Sequence, residues 1–350
     1  MVSIIGAGPS GNYLAYLLAK NGFKADIYEE HKAVGKPIQC TGLITASLDD
    51  VARIDENCIV NKIGNIRLAA PNGENIDFKI KRKNYVVDRE KFDSFFNEIA
   101  LSEGAKLHLN HKMLDFKEGK EIELKFDSRK VLTDSLVGAD GVNSIVNKNK
   151  LRFAIGKQGR FMGNFDEDMF IVYLGLGSFS WIVPESNKTA RIGVIGNDIK
   201  NAYEKLIKKG NFKLIEMQSG IVPIYNNRLK TQMGNVYLVG DAAGMVKATT
   251  YGGILYGLMA AQELSRAIKN DLDYEMLWRK RFGKELYLSL IIRKMLDKMN
   301  ASDYNSLVEI FKQDSLIKLL EEHDRDFPSK FLLKLILKEP RLLKYAKFLF

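Results

Sequence analysis

The sequence predicts an α/β chain that carries an α+β insert, and three observations lead to it. Val2 to Glu30 reads in order as strand, glycine turn, amphipathic helix and second strand. Asn235 to Ile268 repeats the theme with an apolar strand, a Gly-Asp turn and a long helix of small residues. Between them the text is rich in strand-like segments, and after residue 270 it turns helical in pattern. The expected division is a discontinuous dinucleotide-binding domain at 1–60, 85–150 and 220–270, a β-sheet substrate domain at 61–84 and 151–219, and a helical region at 271–350. No Pro/Gly/Ser-rich linker separates these parts, so they are expected to share a large interface.

Each glycine of the first unit has a separate reason. Gly6 permits the tight turn, Gly8 removes the side chain that would block a pyrophosphate, and Gly11 lets the helix pack close to the strand. The helix N-terminus, which includes Asn12, then faces the phosphates with free amides. Glu29 ends the second strand, where a carboxylate accepts hydrogen bonds from ribose hydroxyls and repels a 2′-phosphate. FAD or NAD is therefore favoured over NADP in this site.

Further along, Asn72-Gly73 joins the strand-like segments NIRLAAP and ENIDFKIKRKNYVV as a hairpin turn. REKFDSFFNEIALSEG reads as an amphipathic helix with Phe92, Phe95, Phe96 and Ile99 on one face. KLHLNHKMLDF and EIELKF read as strands, and VLTDSLVGADGVNSIV ends a strand in an Asp-Gly turn. FIVYLGLG, FSWIVP and ARIGVIG supply the strands of the insert.

Composition bounds the function classes. At 350 residues the chain exceeds the roughly 250–300 at which one core stops growing, so two or three structural units are expected. Cys40 and Cys58 are the only cysteines and the four histidines are scattered, so no metal site or disulfide framework is suggested. A strand that begins at Val2 and the lack of a long apolar run point to a cytoplasmic protein. The net charge of +10 comes without a recognition helix or stacking-aromatic motif, which argues against nucleic acid. A lysine-rich solvated surface or contact with anionic lipid accounts for it better. KFLLKLILKEPRLLKYAKFLF mixes lysines with apolar residues at near-helical spacing up to Pro340, so it either lies peripherally on a membrane or packs on the protein itself.

The second glycine turn, GDAAGMVKATTYGGI, resembles the second flavin-binding signature of glutathione-reductase-like flavoproteins. That resemblance implies FAD, with Asp241 on a ribityl hydroxyl and the amides of Gly253 and Ile254 near the pyrophosphate or ring. Ala248, Thr249, Thr250 and Tyr251 stand where the family has proline and more glycine. VVDREKFDSFF is similar to the segment in which Arg89 supports the cofactor phosphates, GADGVNSIV resembles the Asp-Gly motif of the flavin hydroxylase class, which implies that Asp140 lies near the cofactor, and the resemblance puts Met113 where the family's backbone groups hold the adenine.

Two further stretches narrow the class. Pro37-Ile38-Gln39-Cys40-Thr41-Gly42 matches the P-x-x-C-x-G pattern of geranylgeranyl reductases, and Phe179-Ser180-Trp181-Ile182-Val183-Pro184 is similar to their Y-x-W-x-F-P motif with its phenol hydroxyl lost. The resemblance implies an FAD-dependent reductase that saturates double bonds of polyprenyl lipids or diphosphates. Hydride addition to an unactivated alkene needs a proton at the other carbon and a dry cavity. Cys40 is the candidate donor, Trp181 and Phe179 the candidate aromatic lining, and Cys40, Thr41 and Gly42 the candidate strip against the flavin. Cys58 lacks any motif and reads as structural. With one GxGxxG only, the electron donor is expected to be transient, either NAD(P)H or a ferredoxin-like protein. Rival readings are a flavin-dependent aromatic hydroxylase or halogenase on the same scaffold, and a non-catalytic FAD- and lipid-binding electron-transfer flavoprotein.

Overall fold

The computed structural model describes residues 1–38, 40–127 and 129–349, so Gln39 of the Pro37–Gly42 stretch and Phe350 lie outside the described residues. The alternation of apolar runs with amphipathic helices at the N-terminus yields β1 (Val2–Ile5), α1 (Pro9–Lys20) and β2 (Ala25–Tyr28). A short β3 (Leu43–Ile44) follows the Cys40 loop, and then the predicted hairpin forms as β4 (Ile59–Ala69) and β5 (Asn75–Val87). Asp88 caps α2 (Arg89–Ser102) by accepting from the amides of Glu90 and Lys91. Phe92 and Phe96 of that helix are fully buried.

The segment read as one strand from Lys106 divides into β6 (Lys106–His108) and β7 (Met113–Lys117), which belong to different sheets. Asn110, with φ 56°, makes the corner between them in the left-handed region that Asn tolerates. Then come β8 (Ile122–Phe126), β9 (Lys130–Thr133), β10 (Ser135–Gly138) and β11 (Phe153–Met162). The insert continues through β12 (Met169–Tyr173), β13 (Phe179–Pro184), β14 (Thr189–Ile195), a helix α3 (Ile199–Ile207) that the sequence reading did not separate, and β15 (Lys213–Pro223). The chain closes the cofactor unit with β16 (Gln232–Met233), β17 (Val236–Leu238) and α4 (Ile254–Asn270). Its helical end comprises α5 (Tyr274–Trp278), α6 (Lys284–Lys298), α7 (Ala301–Phe311), α8 (Asp314–Glu322) and α9 (Leu332–Lys338), followed by 3-10 turns from Pro340 to Leu349. No helix among the described residues is long and apolar enough to cross a membrane.

Three sheets organise these elements. The six-stranded sheet runs β16-β17-β10-β1-β2-β6, parallel except for β16, so the ends of β1, β10 and β17 open on one crest. The largest core lies against it, with Leu14 and Leu18 of α1, Phe92 and Phe96 of α2, and Leu258 and Ala261 of α4. The eight-stranded sheet runs β15-β11-β14-β13-β12-β4-β5-β3 and is antiparallel except where β12 meets β4. A three-stranded sheet, β7-β8-β9, completes the set. On the eight-stranded sheet, α3 packs over Phe161, Ile192 and Val194, whereas Ile317 and Leu320 of α8 pack on the group that holds Ile66, Phe78 and Val172.

Candidate active site

The crest of the parallel sheet gathers the glycine turn and both aspartates. Gly6 has φ 102°, and a Cβ there would lie 2.5 Å from the Ala139 carbonyl oxygen and 2.9 Å from Asp140 Cα. Only glycine fits this conformation and this approach. A Cβ on Gly11 would lie 2.1 Å from the Gly6 carbonyl, so α1 seats its first turn directly on the strand end. Around Gly8, which caps α1, a Cβ would meet nothing within 4 Å. The three glycines thus have the division of labour expected from their spacing, with open space where a pyrophosphate would approach.

Asp140 presents one oxygen to the Ile145 amide at 2.7 Å, while its Oδ1 is buried without a partner. Burial raises its pKa, against the pull of Ser144 and the nearby amides. Asp241, in the turn after β17, accepts no hydrogen bond from the described residues, and burial raises its pKa although Arg89 draws it down. A Cβ on Gly253 would lie 2.8 Å from Asp241 Oδ1, so the glycine that caps α4 leaves room for that carboxylate. Two half-buried carboxylates with unspent acceptor capacity suit a polyol-bearing dinucleotide such as FAD. Ile254 follows directly as the first residue of α4.

Several candidates also have partners within the protein. Asn12 is fully buried; its Nδ2 donates to the Ala7 carbonyl at 2.6 Å and the Asp93 carbonyl at 3.3 Å, and its Oδ1 accepts from Asn97 Nδ2 at 3.0 Å. It braces the turn rather than offering its side chain to a ligand. Arg89 is held by both oxygens of Asp93, at 3.0 and 2.9 Å, one turn along α2. Burial opposes its charge, but Asp93 and the Cys40 side chain keep its pKa above the ordinary value. Its charge is therefore largely answered within the protein, which makes it a support for Cys40 and Asp241 more than a bare phosphate cation. The Thr41 hydroxyl donates to Gln158 at 2.8 Å, and Gln158 donates to Gln218 at 2.8 Å, which pins the Cys40 loop to β11 and β15. Glu29 Oε2 takes the Ala7 amide at 2.8 Å, and its Oε1 takes the His31 amide at 3.0 Å and lies 2.6 Å from His31 Nδ1, which leaves acceptor capacity for a ribose mainly on Oε2. Met113 is buried at the head of β7, where an irregularity interrupts pairing between Met113 and Asp115.

A cavity of about 170 Å³ lies below this crest, lined by Cys40, Thr41 and Gly42 on one side, Phe179 and Trp181 on another, and Gly252 to Leu255 on a third. Gly42 has φ 77°, and a Cβ there would strike the Val87 carbonyl at 2.4 Å, so this motif glycine is required by close approach to β5. The Gly42 amide also donates to the Cys40 sulfur at 3.3 Å. Phe179 and Trp181 stack with ring centres 5.6 Å apart, and the Trp181 Nε1 is buried without a partner. Gly193 on β14 admits the indole, since a Cβ there would be 2.3 Å from it. Cys58, by contrast, is buried beside Asp55 and Asp88, and burial first, then those carboxylates, push its thiol up to about 11. It is an inert core residue.

The loop that departs from the family pattern is held by its own contacts. Tyr251 adopts φ 57°, the left-handed conformation that glycine favours, and its amide donates to the Lys247 carbonyl at 2.9 Å. The Ala248 amide, which a proline would lack, donates to the Ser289 hydroxyl at 3.1 Å.

Sequence reasoning missed a charged group in the cavity wall. Lys247 is 3% exposed and pairs with Asp326, whose other oxygen accepts from the Thr45 hydroxyl. Burial pushes the Lys247 pKa well below its ordinary value, and the field of Arg325 adds to the effect. A lysine inside a run of small apolar residues was the available signal, but its partner lies far downstream. A second cavity of about 590 Å³ adjoins the first and shares Phe170, Phe179, Thr250 and Arg325 with it. Its floor is the sheet face bearing Ile66, Leu68, Phe78 and Val172.

Residues 4–40 match the model of an NAD(P)-binding Rossmann-like domain. A digeranylgeranylglycerophospholipid reductase of Methanocaldococcus jannaschii is 29% identical over 99% of this chain and 97% of its own length. An uncharacterized protein of the same organism is 30% identical over 96% of this chain and 94% of its own. The crystal structure of a geranylgeranyl bacteriochlorophyll reductase-like protein from Thermoplasma acidophilum has the same fold, with TM-score 0.84 and 21% identity over 100% of this chain and 98% of that one. Related along nearly its whole length to these proteins, and carrying the cysteine and tryptophan motifs on two walls of one cavity, the chain belongs to the geranylgeranyl reductase family.

Proposed function

We propose that the protein is an FAD-dependent reductase that saturates carbon–carbon double bonds of geranylgeranyl chains in isoprenoid lipids or diphosphates. The observation that carries this reading is the continuity of two cavities. The smaller joins the Cys40 strip to the Gly253 cradle, and the larger extends it over an apolar sheet face at a neck formed by Phe170 and Phe179. A long hydrocarbon has an apolar floor to lie on with one end at the crest.

Gly6, Gly8, Gly11, Glu29, Asp140, Asp241, Gly253 and Ile254 are the residues that would hold FAD, with Met113 beside the adenine. When bound and reduced, FAD supplies hydride. The chain's own residues do the rest. Phe179 and Trp181 exclude water and present aromatic faces that favour positive charge on the alkene carbon. Cys40 holds the proton for the other carbon, and the amide of Gly42 and the guanidinium of Arg89 orient its sulfur.

The donor of electrons is proposed to be a transient visitor, NAD(P)H or a ferredoxin-like protein. Peripheral contact with anionic lipid is proposed for the C-terminal region, where Leu343 and Leu349 are 55% and 42% exposed among lysines. Sedimentation with anionic vesicles at low salt, compared before and after deletion of the residues beyond Pro340, tests that contact. Unchanged binding after deletion would remove the tail from it.

The central test is anaerobic. Chemically reduced holoprotein is mixed with a geranylgeranyl lipid, and reoxidation of the flavin is followed together with product mass. Gain of one hydrogen molecule per reduced bond is expected. Reoxidation without any mass gain, across lipid and diphosphate substrates, would sink the assignment.

A further inference from the structure

The neck between the cavities contains a cation that nothing in the protein answers. Arg325 lines both cavities, and its guanidinium has no hydrogen bond or ion pair to any described residue; it lies over the face of Phe170, 5.7 Å from the ring centre. The neighbouring charges are already committed. Asp326 is taken by Lys247 and Thr45, and Asp324 accepts from the Ser47 hydroxyl and the Asp326 amide. Burial drives the Arg325 pKa below its ordinary value, and Asp324 offsets only part of that. Arg293, which lines the larger cavity, is 5% exposed and keeps one buried Nη2 without a partner. Guanidinium groups that face a cavity with unspent donors are matched by planar or tetrahedral oxyanions, which they bind in bidentate fashion.

We infer that Arg325 at the neck is the seat of a phosphate or diphosphate group, which anchors an amphiphile whose apolar part reaches Phe179 and Trp181 in the smaller cavity and extends along Ile66, Leu68, Phe78 and Val172 in the larger one. This deepens the proposed function and rests on it for the prenyl nature of the ligand, but the anion site itself stands on the unpaired guanidinium. The same site explains how a positive charge can sit beside a cavity where an alkene carbon must become electron-poor: the ligand's own anion neutralises it. The chemistry serves a lipid head group and a free phosphate alike.

Saturated probes separate this inference from alkene reduction. Binding of hexadecyl phosphate, hexadecanol, inorganic phosphate and inorganic diphosphate is measured by titration calorimetry on the FAD-loaded protein and on its Arg325→Gln and Arg325→Lys variants. Hexadecyl phosphate should bind at least about tenfold more tightly than hexadecanol, as expected for charged hydrogen bonds. Arg325→Gln should erase that preference and leave hexadecanol affinity unchanged, and Arg325→Lys should retain part of it. Displacement of hexadecyl phosphate by inorganic diphosphate would mark a free-phosphate site, and failure of displacement a head-group site that needs the chain. Equal affinity of the unmutated protein for phosphate and alcohol overturns the inference, whatever the folding of the variants. A preference that survives in Arg325→Gln also overturns it. Neither probe has a double bond, so failure of the reductase assignment leaves these readings intact.

Discussion

Replacing Lys247 by methionine removes one half of a buried ion pair and leaves Asp326, a side chain 5% exposed, without its cation. Breaking such a pair on one side costs about 3–5 kcal/mol, most of it for the stranded charge. Unfolding entropy of about 2.1 cal/mol/K per residue gives roughly 0.7 kcal/mol/K for a chain of 350 residues unfolding as a unit, so the midpoint should fall by about 4–7 °C. Asp326→Asn is expected to behave differently. Asparagine still accepts from Thr45, and the stranded lysine can escape its penalty by releasing a proton, because burial already holds its pKa well below the ordinary value. The sign follows from proton counting. With the folded pKa lowered, the unfolded chain binds more protons between the folded pKa and the unfolded value of about 10.4, so stability rises with pH through that window and is lost as pH falls through the folded pKa. Thermal unfolding followed by circular dichroism between neutral and mildly alkaline pH is the assay. Asp326→Asn should recover stability as pH rises, and Lys247→Met, which has no such lysine, should lack that recovery. Parallel pH profiles for the two variants, or a loss below about 1 kcal/mol for Lys247→Met, would refute the reasoning.

Three further outcomes are expected. Gly11→Ala places a Cβ 2.1 Å from the Gly6 carbonyl, so purified protein should be colourless or lose FAD on gel filtration; yellow protein with unchanged retention would contradict the packing described. Asp241→Asn should raise the melting midpoint of the apoprotein near neutral pH, because an acid whose folded pKa is raised loses stability as pH climbs above its unfolded value, yet it should weaken FAD retention measured by equilibrium dialysis. Cys40→Ser should keep FAD bound but slow alkene saturation by about 100- to 10,000-fold, the span of general acid effects, while Cys58→Ser leaves turnover near its original value; equal rates for the two variants would remove the proton-donor role.

What the sequence made legible was whatever is encoded locally. The first glycine turn, the Asn72-Gly73 hairpin and the helix after Asp88 each depend on neighbours within a few residues, whereas Asp140 and Asp241 were singled out by resemblance. The Cys40 and Trp181 motifs came from resemblance, and their meeting on one cavity depends on β13 and the loop before β3 reaching the same end of the eight-stranded sheet. The Arg89–Asp93 pair was within reach of the i,i+4 rule, but the reading from resemblance looked outward to phosphates and passed over it. Asn12 sits one residue after the last glycine of the fingerprint, and only the packing of α2 against α1 decides that its amide turns inward to Asp93 and Asn97. Lys247, Asp326 and Arg325 were illegible for a different reason. A lysine in an apolar run has no stated partner until the tail folds back across the sheet, and neither charge alone carries a periodic or spacing signal.

The four residues shared by the two cavities set a limit on what the walls can distinguish. Phe170, Phe179 and Thr250 offer rings and a methyl group, and the floor beyond them is likewise hydrocarbon. A saturated isoprene unit differs from an unsaturated one by two hydrogens, less than the methylene that a hydrophobic pocket discriminates by only about 1–3 kcal/mol. Such a channel has almost no thermodynamic preference for substrate over product, so partially reduced chains compete for it nearly as well as fresh ones. Which bond is reduced then becomes a question of register along the channel, in the way a ratchet counts position and not identity, and completion is governed by how often a chain shifts before it leaves.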